Sequence, residues 1–448
     1  MKRFIKITAA IFVLLLIFFV GTFKYRQYRA NQVLIPQHTT ALIKINVDQL
    51  YKSLAANFIA HPWYYLKPEK QEKTTKRNRD FDPGLKMPSA LYLYAINTET
   101  NASFYSRFKL NNQKKLIQFL KGELHFKIIK LSPTHYLATS PSRQVSVLFN
   151  DGEVAIALSL KPDMNVSYLQ DILKGKNFIP LAESQFKEIR SETDHLIYSD
   201  QNHRAKLNFN TGFVEFSQEF KSGAIIPARA PFHRKFNTRN TLTMWLCADL
   251  KNTSGKMYGQ SKLQLASDSL AKYFKGYIDM EWTNSIPVTD TIITYQYNDD
   301  FEKVEKISLQ KRNIPNLTLN INSDAAGLKS YLAKQNFIQP DSSVVNKSVF
   351  PLYKLRVGSS KDQLQLTTGK TQSVNYTKVP GDLFFYLNLN FLELNKQMEI
   401  SLLAPYIKPF KQLEIKGTTI GPAKIRLDGA LKLLNPDINS LYQILSGF

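Results

Sequence analysis

Ile35-Pro36-Gln37-His38-Thr39-Thr40-Ala41-Leu42-Ile43-Lys44-Ile45-Asn46-Val47-Asp48-Gln49-Leu50 is the stretch on which the reading of this chain turns. Its apolar side chains alternate through Ala41–Asn46, the spacing of a strand with one buried face. Pro36 stands where a strand's first residue need not donate to the ladder. Asn46 stands where a side-chain oxygen can cap a following helix or turn. The stretch therefore predicts a unit of Pro, strand, Asn and helix.

Outward from it, the same period of two recurs at Ala90–Ile96, Ser103–Lys109, Gln144–Leu148, Glu153–Leu160, Lys206–Phe209 and Val214–Phe220. It continues at Thr241–Leu246, Thr291–Tyr297, Leu352–Val357 and Leu383–Asn390. The 29 Phe and 22 Tyr suit strands and two-layer packing. A minority of segments have helical spacing, notably Lys114–Lys121, Val166–Lys174, Ala325–Lys334 and Ile438–Leu445. The predicted class is α+β: mainly antiparallel sheets with a few short amphipathic helices, internally duplicated, plus one N-terminal transmembrane helix.

The duplication is read from two pairs, and the same strand–cap–helix logic recurs at a further place in each half. Ile35–Leu50 aligns without a gap to Val379–Leu394, Pro on Pro380, Asn on Asn390 and Leu on Leu394. Ile156–Asn165 matches Ala430–Asn439, each an apolar strand followed by Pro-Asp-x-Asn and a short helix. Asn111–Leu120 matches Ser323–Leu332, where Leu116, Phe119 and Leu120, like Leu328, Tyr331 and Leu332, share one helical face. Repeats of this kind define the architecture before any motif does.

At the N-terminus, Lys2, Arg3 and Lys6 precede a charge-free run from Ile7 to Phe23, and Lys24, Arg26 and Arg29 follow it. That run rises about 25 Å at ~1.5 Å per residue, close to a hydrocarbon core of ~30 Å. It ends Phe-Val-Gly-Thr-Phe-Lys, without the small residues of a signal-peptidase cut, so it reads as an uncleaved signal-anchor. The short leading tail favours the N-terminus inside and the body in the periplasm, at the cytoplasmic (inner) membrane. The expected organisation is anchor and stem over 1–30, a first exported lobe over 34–226, a basic linker over 227–240 and a second lobe over 241–448.

The Pro-led strand IPQHTTALIKIN at one end and GALKLLNPDINSLYQIL at the other resemble a broad group of uncharacterised single-span or lipid-anchored Gram-negative envelope proteins. The group carries no established activity or catalytic residues, so the resemblance transfers none to this chain.

Chemistry is sparsely marked. A single cysteine, Cys247, excludes an internal disulfide, a cysteine zinc site and a CxxC centre, and its apolar strand reads as a burial site for an inert thiol. The seven histidines form no metal-ligand spacing and there is no Gly-x-Ser-x-Gly elbow. Gly369-Lys370-Thr371 mimics the end of a P-loop, but Leu364 stands where its first glycine belongs. Asp80 and Asp82 are the one carboxylate pair with metal-site spacing, as in anchored glycosyltransferases that hold a sugar nucleotide through a divalent cation. Asp82-Pro83-Gly84 is equally turn chemistry. The expectation is no catalytic residue, no cofactor and no metal, with Asp80 and Asp82 as weak metal candidates.

The 59 Lys and Arg against 36 Asp and Glu give a net charge of +23. An exported body without a recognition motif turns that charge away from nucleic acid. It favours a solvated surface, or contact with an anionic lipid or envelope protein through Lys70, Lys73, Lys76, Arg77, Arg79, Arg229, Arg234, Lys235 and Arg239. The sequence reading is a non-enzymatic, membrane-anchored envelope protein with an interaction or structural module. Its alternatives are AsmA-like lipid handling, in which an apolar sheet face shelters acyl chains, and a membrane-anchored glycosyltransferase.

Overall fold

The computed structural model describes residues 22, 24–66, 82–96, 103–162, 166–223, 225–237, 239–250, 257–260, 263–297, 301–339, 342–370, 376–379, 381–397, 407–421 and 423–446. The expected anchor, residues 7–23, lies outside them apart from Thr22. Among the described residues no helix is long and apolar enough to cross a membrane. The body is α+β and mainly antiparallel sheet, as the period-two segments require. Contacts divide it into Met1–Thr211 with Asp437–Asn439, and Gly212–Pro436 with Ser440–Phe448.

In the first unit the Thr39–Ile45 strand lies in the interior of its sheet. The order is His203–Phe209, Leu196–Asp200, Thr39–Ile45, Leu91–Ile96, Ser103–Lys109, Glu153–Ser159, Val145–Phe149, Tyr136–Thr139 and Lys127–Lys130, all antiparallel. Leu42 faces Tyr94 and Lys44 faces Tyr92 across one ladder, so these four share a sheet face. That face packs on the helix Val166–Lys174 through Leu169, Ile172 and Leu173, and on Leu181, Phe186 and Ile189. A second core gathers Ala138, Val147, Phe149 and Val154 with Leu116 and Leu120 of the helix Gln113–Gly122. Each buried Leu of these cores is worth roughly 1.5–3 kcal/mol.

In the second unit the order is Phe213–Lys221, Lys424–Leu433, Phe410–Gly421, Leu383–Asn390, Leu242–Leu250, Phe274–Tyr297, Lys303–Ser323, Gln363–Thr367, Arg356–Ser359, Val344–Val345 and Ile338–Gln339. Phe274–Tyr297 and Lys303–Ser323 form one long hairpin. Beyond Trp282 and Thr318 no neighbouring strand among the described residues pairs with it, and residues 301–313 are exposed throughout.

Eight strands of each unit's main sheet follow one plan once the two-stranded ribbons, which include Phe178–Pro180, Met257–Gln260, Leu263–Ala266 and Tyr376–Lys378, are left out of the count. Counting from Thr39–Ile45 and from Leu242–Leu250, the first strand pairs with the second, the second with the third, and the third with the seventh. The seventh, sixth, fifth and fourth then follow outward, and the eighth lies on the free side of the first. In both units a helix follows the first strand and another follows the third.

That plan corrects both sequence pairings, while the recurring strand–cap–helix unit takes the same place in each. Asn111–Leu120 and Ser323–Leu332 are equivalent: Asn112 caps its helix by accepting from Lys115 N at 3.1 Å, and Asp324 by accepting from Gly327 N at 3.2 Å. Thr39–Ile45, by contrast, corresponds to Leu242–Leu250 and not to Leu383–Asn390, and Glu153–Ser159 to Gln363–Thr367 and not to Lys424–Leu433. Strand, Asn and helix is a local arrangement that the chain uses at non-equivalent places: Asn390 caps its helix through its side chain, whereas Asn46 makes no such cap.

Residues 227–240 are not a linker. Ile225–Pro227 pairs with Ala248–Leu250 and Phe232–Arg234 with Tyr376–Lys378, within the second unit. Proline and basic charge gave the segment a solvated reading, but Phe232, Phe236 and Arg234 all find buried partners there.

Candidate functional site

In the middle of the second unit's sheet the two faces differ in chemistry. Leu246, Ile278, Ile321 and Leu364 lie opposite one another on successive strands and form an apolar row. One residue along, Trp245, Asp279, Asn320 and Gln365 form the corresponding row on the reverse face.

The apolar face, with Leu246, Ile278, Ile321 and Leu366 as its floor, opens into a cavity of about 390 Å³. Leu328 and Leu332 of the helix Ala325–Lys334 roof it, together with Leu270 of the helix Ser267–Tyr273, Phe274, and Phe337 and Ile338 at the sheet's end. Among the described residues, every side chain lining it is apolar. Local sequence explains its shape. Asp324 starts the roofing helix, and Leu328 and Leu332, one turn apart, aim the same way. Tyr331, on the flank, accepts at its hydroxyl from Ala266 N at 2.7 Å and ties the roof to the preceding helix.

Without a polar group, such a chamber can hold hydrocarbon and nothing that needs a hydrogen bond. Dry apolar cavities of about 150 Å³ already admit benzene.

The reverse face is a closed polar network. Asp279, fully buried, accepts from Arg234 Nη2 at 3.0 Å and from Asn320 Nδ2 at 2.9 Å. Gln365 donates to Asn320 Oδ1 at 2.6 Å, and Arg234 Nη2 reaches Glu281 Oε2 at 2.6 Å. Asn240 donates to Glu281 Oε1 at 2.7 Å, and the Tyr277 hydroxyl accepts from Arg234 N at 3.0 Å. Burial pushes the Asp279 carboxyl above its ordinary range, outweighing the opposing pull of Arg234 and Asn320. With one guanidinium shared by two carboxylates and held by neighbouring amides within the fold, this face is scaffold.

Arg234 is thereby removed from the surface contacts expected of it. Arg229, Lys235 and Arg239 are exposed, in keeping with solvated positions. Lys70, Lys73, Lys76, Arg77, Arg79 and Asp80 lie outside the described residues. Asp82 spends one oxygen on Gly84 N at 2.9 Å and the other on Lys115 Nζ at 2.7 Å. Those bonds, led by the one from Lys115, hold its carboxyl below the usual range. Among the described residues no three His, Cys, Asp or Glu side chains gather as a metal site.

The sequence did not single out the cavity. Its signal was present in Leu328 and Leu332, on the helix face read as ordinary core.

No protein-family model matches the chain, and no curated protein does. Among solved structures, three crystal forms of TP0453, a Treponema protein, are similar at 9–10% identity and TM-scores of 0.22–0.23. They cover 75% of this chain and 90–92% of theirs. A TM-score of that size does not establish a shared fold.

Proposed function

We propose that this chain is a non-enzymatic, membrane-anchored envelope protein whose second unit shelters the hydrocarbon part of a lipid. The observation that carries the reading is the all-apolar chamber of about 390 Å³ beneath Leu328 and Leu332. Of the sequence-based alternatives, lipid handling is the one this chamber supports. An open apolar groove along the sheet is not required, because the helices enclose the hydrocarbon. The shared strand order, and the match of Asn112, Leu116 and Leu120 to Asp324, Leu328 and Leu332, support an ancestral duplication. In the first unit the corresponding helix closes on Phe149 and Val147. In the second it roofs the chamber. The anchor over 7–23, with the body in the periplasm, belongs to the same proposal.

The test is displacement of a fluorescent fatty acid from the full chain in neutral detergent. Leu328→Trp fills the chamber, and binding should fall about tenfold or more while the melting temperature holds, since added volume replaces guest volume. Unchanged binding in a folded Leu328→Trp protein would sink the reading.

A further inference from the structure

We infer that the first unit carries a separate binding site for a phosphate-bearing amphiphile, in the cleft between residues 24–34 and the strands Leu91–Ile96 and Ser103–Lys109. Among the described residues this cleft, of about 420 Å³, is lined by five cations, Arg26, Arg29, Lys86, Arg107 and Lys109, and by no carboxylate.

Those cations are not all used by the fold. Arg26 holds Asp48 with two bonds, Nε at 3.0 Å and Nη2 at 2.9 Å. Arg107 approaches Glu153 only to 3.4 Å, and its buried Nε makes no hydrogen bond. No ion pair joins Arg29, Lys86 or Lys109 to a carboxylate among the described residues. Like charges converging on one concavity raise its potential and concentrate anions.

A second observation is independent of charge. Tyr94, 2% exposed, lines the same cleft, and its hydroxyl has no hydrogen-bond partner among the described residues. A buried donor left unmade is costly in a fold that gains nothing from it. It is an asset where a ligand oxygen completes it. Tyr94 Oη, the Arg107 guanidinium and the free cations supply neutral and charged donors, which is what a phosphate's several acceptor oxygens ask for.

The rest of the wall is apolar. Val33, Met87, Pro88 and Phe108 line it beside the basic groups. An inorganic anion has no use for that surface, whereas a lipid phosphate brings acyl or glycerol carbons to cover it. This site stands apart from the apolar chamber of the second unit and does not depend on it.

The experiment is isothermal titration of the full chain, in neutral detergent, with dihexanoyl phosphatidic acid, dihexanoyl phosphatidylcholine and inorganic phosphate. Phosphatidic acid should bind about tenfold more tightly than either of the others and weaken as salt rises. Tyr94→Phe deletes only the unpaired hydroxyl, so it should leave the melting temperature level or higher while weakening phosphatidic acid about fivefold. Arg29→Gln with Lys86→Gln, both on exposed side chains, should cost about tenfold and flatten the salt dependence. Equal binding of phosphatidylcholine, or wild-type binding by these variants, overturns the proposal. Inorganic phosphate binding as tightly as phosphatidic acid assigns the cleft to the free anion and overturns the lipid.

Discussion

Arg234 Nη2 lies 3.0 Å from Asp279 Oδ1 in the interior of the second unit, the guanidinium of one short strand locked onto the carboxylate of a long one. Asp279 is fully buried and Arg234 nearly so, and Glu281 shares the same guanidinium. Removing the cation leaves two carboxylates facing each other without compensation. Arg234→Met is therefore expected to cost about 3–5 kcal/mol in urea unfolding, whereas Arg229→Gln and Lys235→Gln should stay within about 0.5 kcal/mol. An Arg234→Met protein as stable as wild type would mean that Asp279 and Glu281 need no cation.

Two asparagines that the sequence aligns do opposite jobs. Asn390 Oδ1 accepts from Leu392 N at 3.0 Å and Glu393 N at 3.2 Å, a true helix cap. Asn46 makes no such bond; its Nδ2 donates to the carbonyls of Glu192 and Asp194. Aspartate keeps the acceptor and loses the donor. Asn390→Asp should therefore be neutral or stabilising by a few tenths of a kcal/mol, while Asn46→Asp should cost about 1–3 kcal/mol. Equal effects in chemical denaturation would refute the assignment of roles.

This contrast marks how far the sequence could be read. Period two found most strands, and the Leu116–Leu120 and Leu328–Leu332 faces found two helices together with their equivalence, because those signals are local. Which strands pair is a long-range matter. Nothing in Thr39–Ile45 announces Leu196–Asp200 as its second neighbour, so the sequence aligned segments that hold different places in the strand order. Arg234 was read as solvent-facing because its partners, Asp279 and Glu281, lie far along the chain. The chamber under Leu328 was invisible for a further reason. A leucine that lines a cavity and a leucine that fills a core are the same letter at the same helical spacing.

Cys247 offers a direct measure of how tightly that sheet is closed. It is 1% exposed, and burial pushes its thiol above the ordinary range. Native protein should therefore resist Ellman's reagent and release one equivalent of thiol only on unfolding. Rapid reaction under native conditions would show that the sheet around Trp245 and Tyr277 opens more readily than its packing implies.

Lys44 gives the pH dependence. Its side chain is 1% exposed, and Nζ donates to the carbonyls of Ile189, Arg190 and Glu192 at 2.9, 2.9 and 2.8 Å. Burial lowers its pKa from 10.5 to about 8, against an opposing pull from Asp194. Below about 8 both folded and unfolded chains hold the proton, and the penalty of a buried ammonium is present in full. Between about 8 and 10.5 the folded protein has released it while the unfolded chain still binds it, so stability rises with pH through that window. The gain reaches at most about 3 kcal/mol, because each tenfold loss of proton affinity on folding corresponds to about 1.4 kcal/mol. Other groups titrate in the same range, so the informative quantity is the difference between wild type and Lys44→Met in urea unfolding at about pH 7.5 and about pH 10. Wild type should gain on the variant as pH rises. A difference that stays flat would mean that the three carbonyls hold Lys44 charged throughout and that burial does not set its titration.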